Sequence, residues 1–100
     1  MKYIIEFEKQ AISDIEHIGD YIEINLYAPQ AARDLYNGII GEIDKLEHSA
    51  HSFAISSNKT ILQYGYNARR INYNHYAIIY TIEEPFVIVH RIIHGSLIID

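Results

Sequence analysis

The chain has 100 residues, enough for one hydrophobic core and too few for two. Apolar residues make up 49% and charged residues 21%, which excludes a disordered polar chain, and no apolar run reaches the roughly 18 residues of a membrane-spanning helix. The absence of cysteine excludes disulfides and thiolate metal sites, and a net charge of −5 argues against wholesale binding of nucleic acid by the chain alone.

The amino-terminal apolar patch is broken at once by Glu6 and Glu8, unlike a secretory signal, so the expected location is the cytoplasm. Charge is unevenly spread. Residues 1–58 carry four basic and ten acidic side chains, whereas residues 59–100 carry four basic and three acidic ones together with His75, His90 and His94. An anionic partner is therefore expected to meet the carboxy-terminal half.

Residues 2–8 alternate Tyr3, Ile5 and Phe7 with mostly polar neighbours, the period of a half-buried strand. From Gln10 the period lengthens: Ala11, Ile15, Ile18, Ile22 and Leu26 form the apolar stripe of an amphipathic helix. Pro29 ends that helix over residues 25–28 and suits the first turn of a second one. Ala32, Leu35, Tyr36, Ile39, Ile43 and Leu46 supply the second stripe. So short a junction predicts an antiparallel helical hairpin, with Gly38 and Gly41 marking close approach to the first helix.

Residues 47–59 are polar, serine-rich and without period, which predicts a loop. The remainder reads as strands: ILQYGY, ARRINY, HYAIIYTI and FVIVHRIIH, broken at Gly65, at Asn74-His75 and at Glu83-Glu84-Pro85. The predicted fold is one α+β domain over 1–100, in the order β-α-α-β-β-β. An N-terminal strand and a helical hairpin pack with the hairpin on one face of a mainly antiparallel sheet.

Three segments carry a likeness: IEFEKQAISDIEHIGDYI, NLYAPQAARDLYNGIIGEIDKLE and RRINYNHYAIIYTIEEPFVIVHRIIHG. In that order they resemble the RelE/ParE toxin superfamily of type II toxin–antitoxin systems, also called plasmid-stabilisation proteins. The resemblance implies a cognate antitoxin that neutralises the chain. It also implies one of two targets. ParE-like members are associated with poisoning of DNA gyrase, and RelE-like members cut messenger RNA on the ribosome.

Cleavage of RNA needs a proton acceptor for the 2′-hydroxyl, cations for the developing phosphorane and an acid for the leaving oxygen. Arg70 falls where the RelE-type pattern has a basic residue, and its guanidinium suits phosphate. The pattern then breaks. Ala77 stands where relatives have arginine, Ser96-Leu97-Ile98-Ile99 is uncharged, and no tyrosine follows Tyr80. His94, six residues from the end, is the remaining acid–base candidate. The sequence thus favours a ParE-like growth-arresting toxin that binds a protein target without catalysis, with Arg70, Arg91 and His94 as the target surface. The alternatives are a ribosome-dependent endonuclease using Arg70 and His94, and a non-toxic module that only binds antitoxin.

No metal or other cofactor is expected. His90 and His94 would share a strand face, but about 13 Å apart, and His48 and His51 have no third ligand nearby. Tyr64, Tyr66 and Tyr73 are the tyrosines expected to be exposed. Along the last strand, one face would present Phe86, Ile88, His90, Ile92 and His94, the other Val87, Val89, Arg91 and Ile93. Both are largely apolar, so something must cover the side the helices leave open. The candidates are an antitoxin segment on Phe86, Ile88, His90 and Ile92, or the chain's own loop and tail at residues 97–99.

Overall fold

The computed structural model describes residues 2–99. Strand β1 (Ile4–Phe7) leads into helix α1 (Lys9–Asp20), which widens into a π-helical segment over Tyr21–Asn25. Helix α2 (Pro29–Asp44) follows, with Pro29 in its first turn. Tyr27 takes a left-handed φ of 50° at the connection. Strands β2 (Arg69–Tyr73), β3 (Tyr76–Glu83) and β4 (Phe86–His94) complete a four-stranded sheet in the order β1-β4-β3-β2. The last three strands are antiparallel, and β1 lies parallel to β4 at one edge. The two turns fall at 74–75 and 84–85, as the sequence breaks imply. Among the described residues no helix is long and apolar enough to cross a membrane.

The apolar stripes of the hairpin bury Ala11, Leu35, Ile39 and Ile43 against Ile71, Ile78, Tyr80, Val87, Val89 and Ile92 on one face of the sheet. Within this core Tyr80 donates a hydrogen bond to the carbonyl of Ala50 (2.7 Å), and burial pushes its phenol up to about 12. The helical region runs further than predicted. Short helix α3 (Leu46–Ser49) and a 3₁₀ turn (Ala50–Ser52) occupy the start of the expected loop, because Leu46 and Ala50 are both fully buried. Gly38 serves a different neighbour from the expected one. A Cβ there would overlap the ring of Tyr73 on β2, whereas one at Gly41 would meet nothing within 4 Å.

The segment ILQYGY forms no strand. Asn58 caps a single helical turn, α4 (Lys59–Leu62), accepting a hydrogen bond from the Ile61 N–H (3.2 Å) on its side-chain oxygen. This local side-chain bond competes successfully with strand pairing. The strap so formed packs Ile61, Leu62 and Tyr64, with Ile98 of the tail, against Ile79 and Ile93 on the second face of the sheet. The chain's own strap and tail therefore cover part of the face that helices leave open.

A bulge in β4 alters the predicted alternation. Ile79 pairs with Arg91 but the next residue, Tyr80, pairs with Val89, so His90 is the extra residue. Beyond it every side chain changes face. Ile92 joins Val87 and Val89 in the helix-side core at 1% exposure, and His90 and His94 do not share a face. His90 lies on the second face, stacked on Tyr64 with ring centroids 5.9 Å apart, its Nε2 2.8 Å from the Thr81 hydroxyl. Burial lowers its pKa, opposed by the Glu8 and Glu83 carboxylates.

Asp14 closes the edge that β1 leaves open. Past Val89, β4 has no β1 partner; there the Ile92 N–H donates to Asp14 Oδ2 (2.9 Å). Arg91 adds a two-pronged pair, Nε to Oδ2 (2.8 Å) and Nη2 to Oδ1 (3.0 Å), and Gln10 donates a weaker bond to Oδ1 (3.3 Å). The guanidinium also donates to the Tyr64 hydroxyl (3.3 Å).

Removing one partner from a buried pair of this kind costs about 3 kcal/mol. Asp14→Ala is therefore expected to lower unfolding free energy by about that much in a urea titration, and Arg91→Met by less, because the Ile92 N–H keeps its acceptor. Gly38→Ala gains about 1 kcal/mol of helix propensity but overpacks Tyr73 at a cost of about 1–3 kcal/mol. Net destabilisation is expected, with recovery in Gly38→Ala/Tyr73→Ser. Because the folded-state pKa of His90 lies below its unfolded value of about 6.5, the unfolded chain binds more protons. The His90 contribution is complete above that range and is lost as pH falls through and below it. Thermal denaturation between pH 7 and 5 should show this loss, reduced in His90→Gln.

Candidate target-binding site

The hairpin of β2 and β3 brings Arg70, His75 and His94 to one end of the sheet. Arg70 lies in β2 opposite Ile79, and Asn72 two residues on holds its Nε with a 2.7 Å hydrogen bond. This fixes the guanidinium and leaves its two terminal nitrogens without a hydrogen-bond partner among the described residues. They reach the chain reversal after β4, where a Cβ on Gly95 would stand 3.4 Å from Nη2. That reversal is tied down by the Gly95 N–H donating to the carbonyl of His75 (2.7 Å).

His94 closes β4 and caps the 3₁₀ turn Gly95–Leu97. The Ser96 N–H donates to its Nδ1 (3.1 Å), and the Ser96 hydroxyl lies 2.7 Å from the same nitrogen. Since a backbone N–H can only donate, Nδ1 is an acceptor, and the proton of the neutral ring sits on Nε2. The ring stacks on His75 at 5.9 Å and meets Tyr76 edge-on at 5.6 Å. The imidazole is thus held in one orientation and one tautomer on an exposed residue. Arg70, opposite Ile79, stands on the second face, whereas His94, opposite Tyr76, stands on the helix side, so at this end of the sheet each separately offers N–H donors suited to an anionic oxygen.

Arg91 does not belong to this group. It is committed to Asp14, Tyr64 and the edge of β4, and the hydrogen bond it donates to Asp14 holds its guanidinium further above its ordinary pKa. No local pattern marks this pairing, since Asp14 lies 77 residues away on the polar side of a predicted helix. Ala77 is fully buried beside Asn72 and Ile93. Among the described residues no group of three His, Asp or Glu side chains could hold a metal ion.

Of the residues assigned to antitoxin contact, Ile92 lies in the core, while Phe86, Ile88 and His90 are partly exposed on the second face next to the strap. Of the tyrosines expected in solvent, Tyr66 is 89% exposed. Tyr64 is held between His90 and Arg91, and Tyr73 packs against the hairpin. Asn72 and Ser96, which set the geometry of Arg70 and His94, escaped sequence reasoning. For Asn72 the spacing of two from Arg70 was the available signal, because residues i and i+2 of a strand share a face, whereas Ser96 lies in the 3₁₀ turn after β4.

The profile of the ParE toxin of the type II toxin–antitoxin system parDE matches residues 5–98. No curated protein sequence matches the chain. Among solved structures, the chromosomal ParDE TA system from P. aeruginosa is similar with a TM-score of 0.75 at 15% identity, covering 93% of this chain and 96% of that one. At so low an identity the structural likeness establishes the shared fold, and the profile match establishes the family. The chain belongs to the ParE toxin family of type II toxin–antitoxin systems.

Proposed function

We propose that the chain is a toxin of the ParE kind, which arrests growth by gripping a protein target, DNA gyrase in the first instance, and does so without catalysing a reaction. The observation that carries this reading is the separation of the two arginines. Arg70 is tethered by Asn72 next to Gly95 and open to a ligand, whereas Arg91 is locked in a structural ion pair. One open guanidinium at the end of the sheet is a recognition device for a carboxylate or other oxyanion. It lacks the several cations that stabilise a phosphorane, each worth about two to three powers of ten in rate.

A second reading rests on the free Nε2 of His94 at the same end of the sheet as Arg70: a ribosome-dependent endonuclease in which His94 serves as the proton carrier. We further propose a cognate antitoxin that silences the chain in the cytoplasm. Its apolar anchors cover Phe86, Ile88 and the rim of His90, where the strap stops short of covering the second face. Ile92 is omitted because the helices already bury it.

Arg70→Ala should release growth arrest in cells expressing the chain alone, and purified Arg70→Ala should inhibit gyrase supercoiling at least tenfold less than the native chain, the loss of one or more charged hydrogen bonds. Codon-positioned cuts by primer extension, abolished in His94→Ala, would instead establish the endonuclease. Harmless expression with neither effect would leave a module that only binds antitoxin.

Antitoxin binding is expected to survive 1 M salt, where the Debye length is about 3 Å, because its anchors are apolar. Phe86→Ser should weaken it while leaving the Arg70 end intact. A steep salt-dependent loss of affinity by calorimetry would point to charge pairing.

A further inference from the structure

The carboxy-terminal tail is held by few contacts. After β4 the 3₁₀ turn Gly95–Leu97 folds it back, with the Ile98 N–H donating to the Gly95 carbonyl (3.1 Å). Ile98 then packs on the second face with Ile79 and Ile93. The carbonyl of Ile99 accepts from the Asn58 side-chain amide (3.1 Å) and the Thr60 hydroxyl (3.2 Å) of the strap. Leu97 and Ile99 stand 62% and 75% exposed, so of the three apolar tail residues Ile98 is the anchor.

The turn that aims this tail depends on the charge of one ring. His94 Nδ1 accepts the Ser96 N–H at 3.1 Å, which requires a lone pair on that nitrogen. An imidazolium has none, because both of its nitrogens carry protons. The Ser96 hydroxyl, 2.7 Å away, can turn to accept the new proton. The backbone N–H can only donate, and it is left facing a second donor. Flipping the ring puts a carbon in place of Nδ1 and loses the same bond.

The surroundings of the ring offer a cation no relief. His75 stacks on it at 5.9 Å, Tyr76 meets its edge at 5.6 Å, and the Arg70 guanidinium reaches Gly95 from β2. No carboxylate of the described residues pairs with His94. Histidine is the side chain whose charge changes between pH 5 and 8. An opened tail lets the ring take a proton that the capped turn excludes, so the open form binds more protons and acid favours it.

We propose that His94 is an acid-released latch for the carboxy-terminal tail: the neutral ring caps the turn and keeps residues 96–99 folded back on the second face, and the cationic ring lets them go. The latch works whatever target Arg70 grips.

The test is digestion of the full chain by a carboxypeptidase active from pH 8 to pH 5, with the free peptide GSLIID of residues 95–100 as reference. Release of residues 98–99 from the chain, relative to the peptide, follows the population of the open form. From pH 8 to pH 5 that ratio should rise about tenfold, the scale of one lost hydrogen bond, while far-UV circular dichroism stays native. His94→Asn supplies an oxygen that accepts the N–H two residues on without titrating, and it should keep the ratio low at both pH values. His94→Ala, with no acceptor, should show the raised ratio already at pH 8. His90→Gln should retain the full rise, which separates tail release from the acid loss of global stability. An unchanged ratio in the native chain, an equal rise in His94→Asn, a native ratio for His94→Ala at pH 8, or disappearance of the rise in His90→Gln would each overturn the proposal.

Discussion

A carboxylate buried at the open edge of a β-sheet needs several donors at once, and Asp14 finds four: the Ile92 N–H, two guanidinium nitrogens of Arg91 and the Gln10 amide. Strand β1 pairs with β4 only from Phe86 to Val89, so without Asp14 the Ile92 N–H would lie buried and unpaired at the point where the helices cross the sheet. A lost backbone partner in such a place costs about 1–3 kcal/mol, and an unpaired buried charge more. The interaction thus holds α1 against β4. Through the Tyr64 hydroxyl on the same guanidinium, it also holds the strap that covers the opposite face. Helix, sheet and strap meet at one ion pair.

The bulge at His90 makes this arrangement possible. By inserting one residue into β4 it turns Ile92 inward, so that the same strand supplies apolar side chains to the helix-side core before and after the irregularity. Arg91 is left on the second face near the edge, able to reach around to Asp14, while His90 occupies the extra position against Thr81 and Tyr64. A regular strand would have offered Ile92 to the second face and spoiled the core. Bulges are common where a side chain must be re-aimed, and here the re-aimed side chain is a structural arginine.

With Arg91 engaged, the proposed target contact falls to Arg70, which Asn72 holds in place, while Ser96 holds His94 at the same end of the sheet. Both helpers act from two residues away, so the site is built on strand ends and one tight turn, and it depends little on the helical hairpin. The solvent side of the hairpin is acidic along α1 and grooved beside Gly19.

The α+β class, both helices, the antiparallel run of β2 to β4 and the two turns were legible in the sequence, because each follows from local periodicity, proline placement or turn chemistry. The motifs of the family were legible for the same reason, spread in order along the chain. Features set by contacts between distant residues were hidden. The bulge at His90 depends on the register of β3 against β4, and the buried state of Ile92 follows from it. The role of Arg91 depends on Asp14, 77 residues earlier, and the approach of Gly38 to Tyr73 on the packing of α2 across β2. ILQYGY reads as a strand by composition, yet one capping hydrogen bond from Asn58 and burial of Ile61 turn it into a strap. Periodicity is a property of neighbours along the chain, whereas register, edge capping and the choice of face are decided only when separate elements meet.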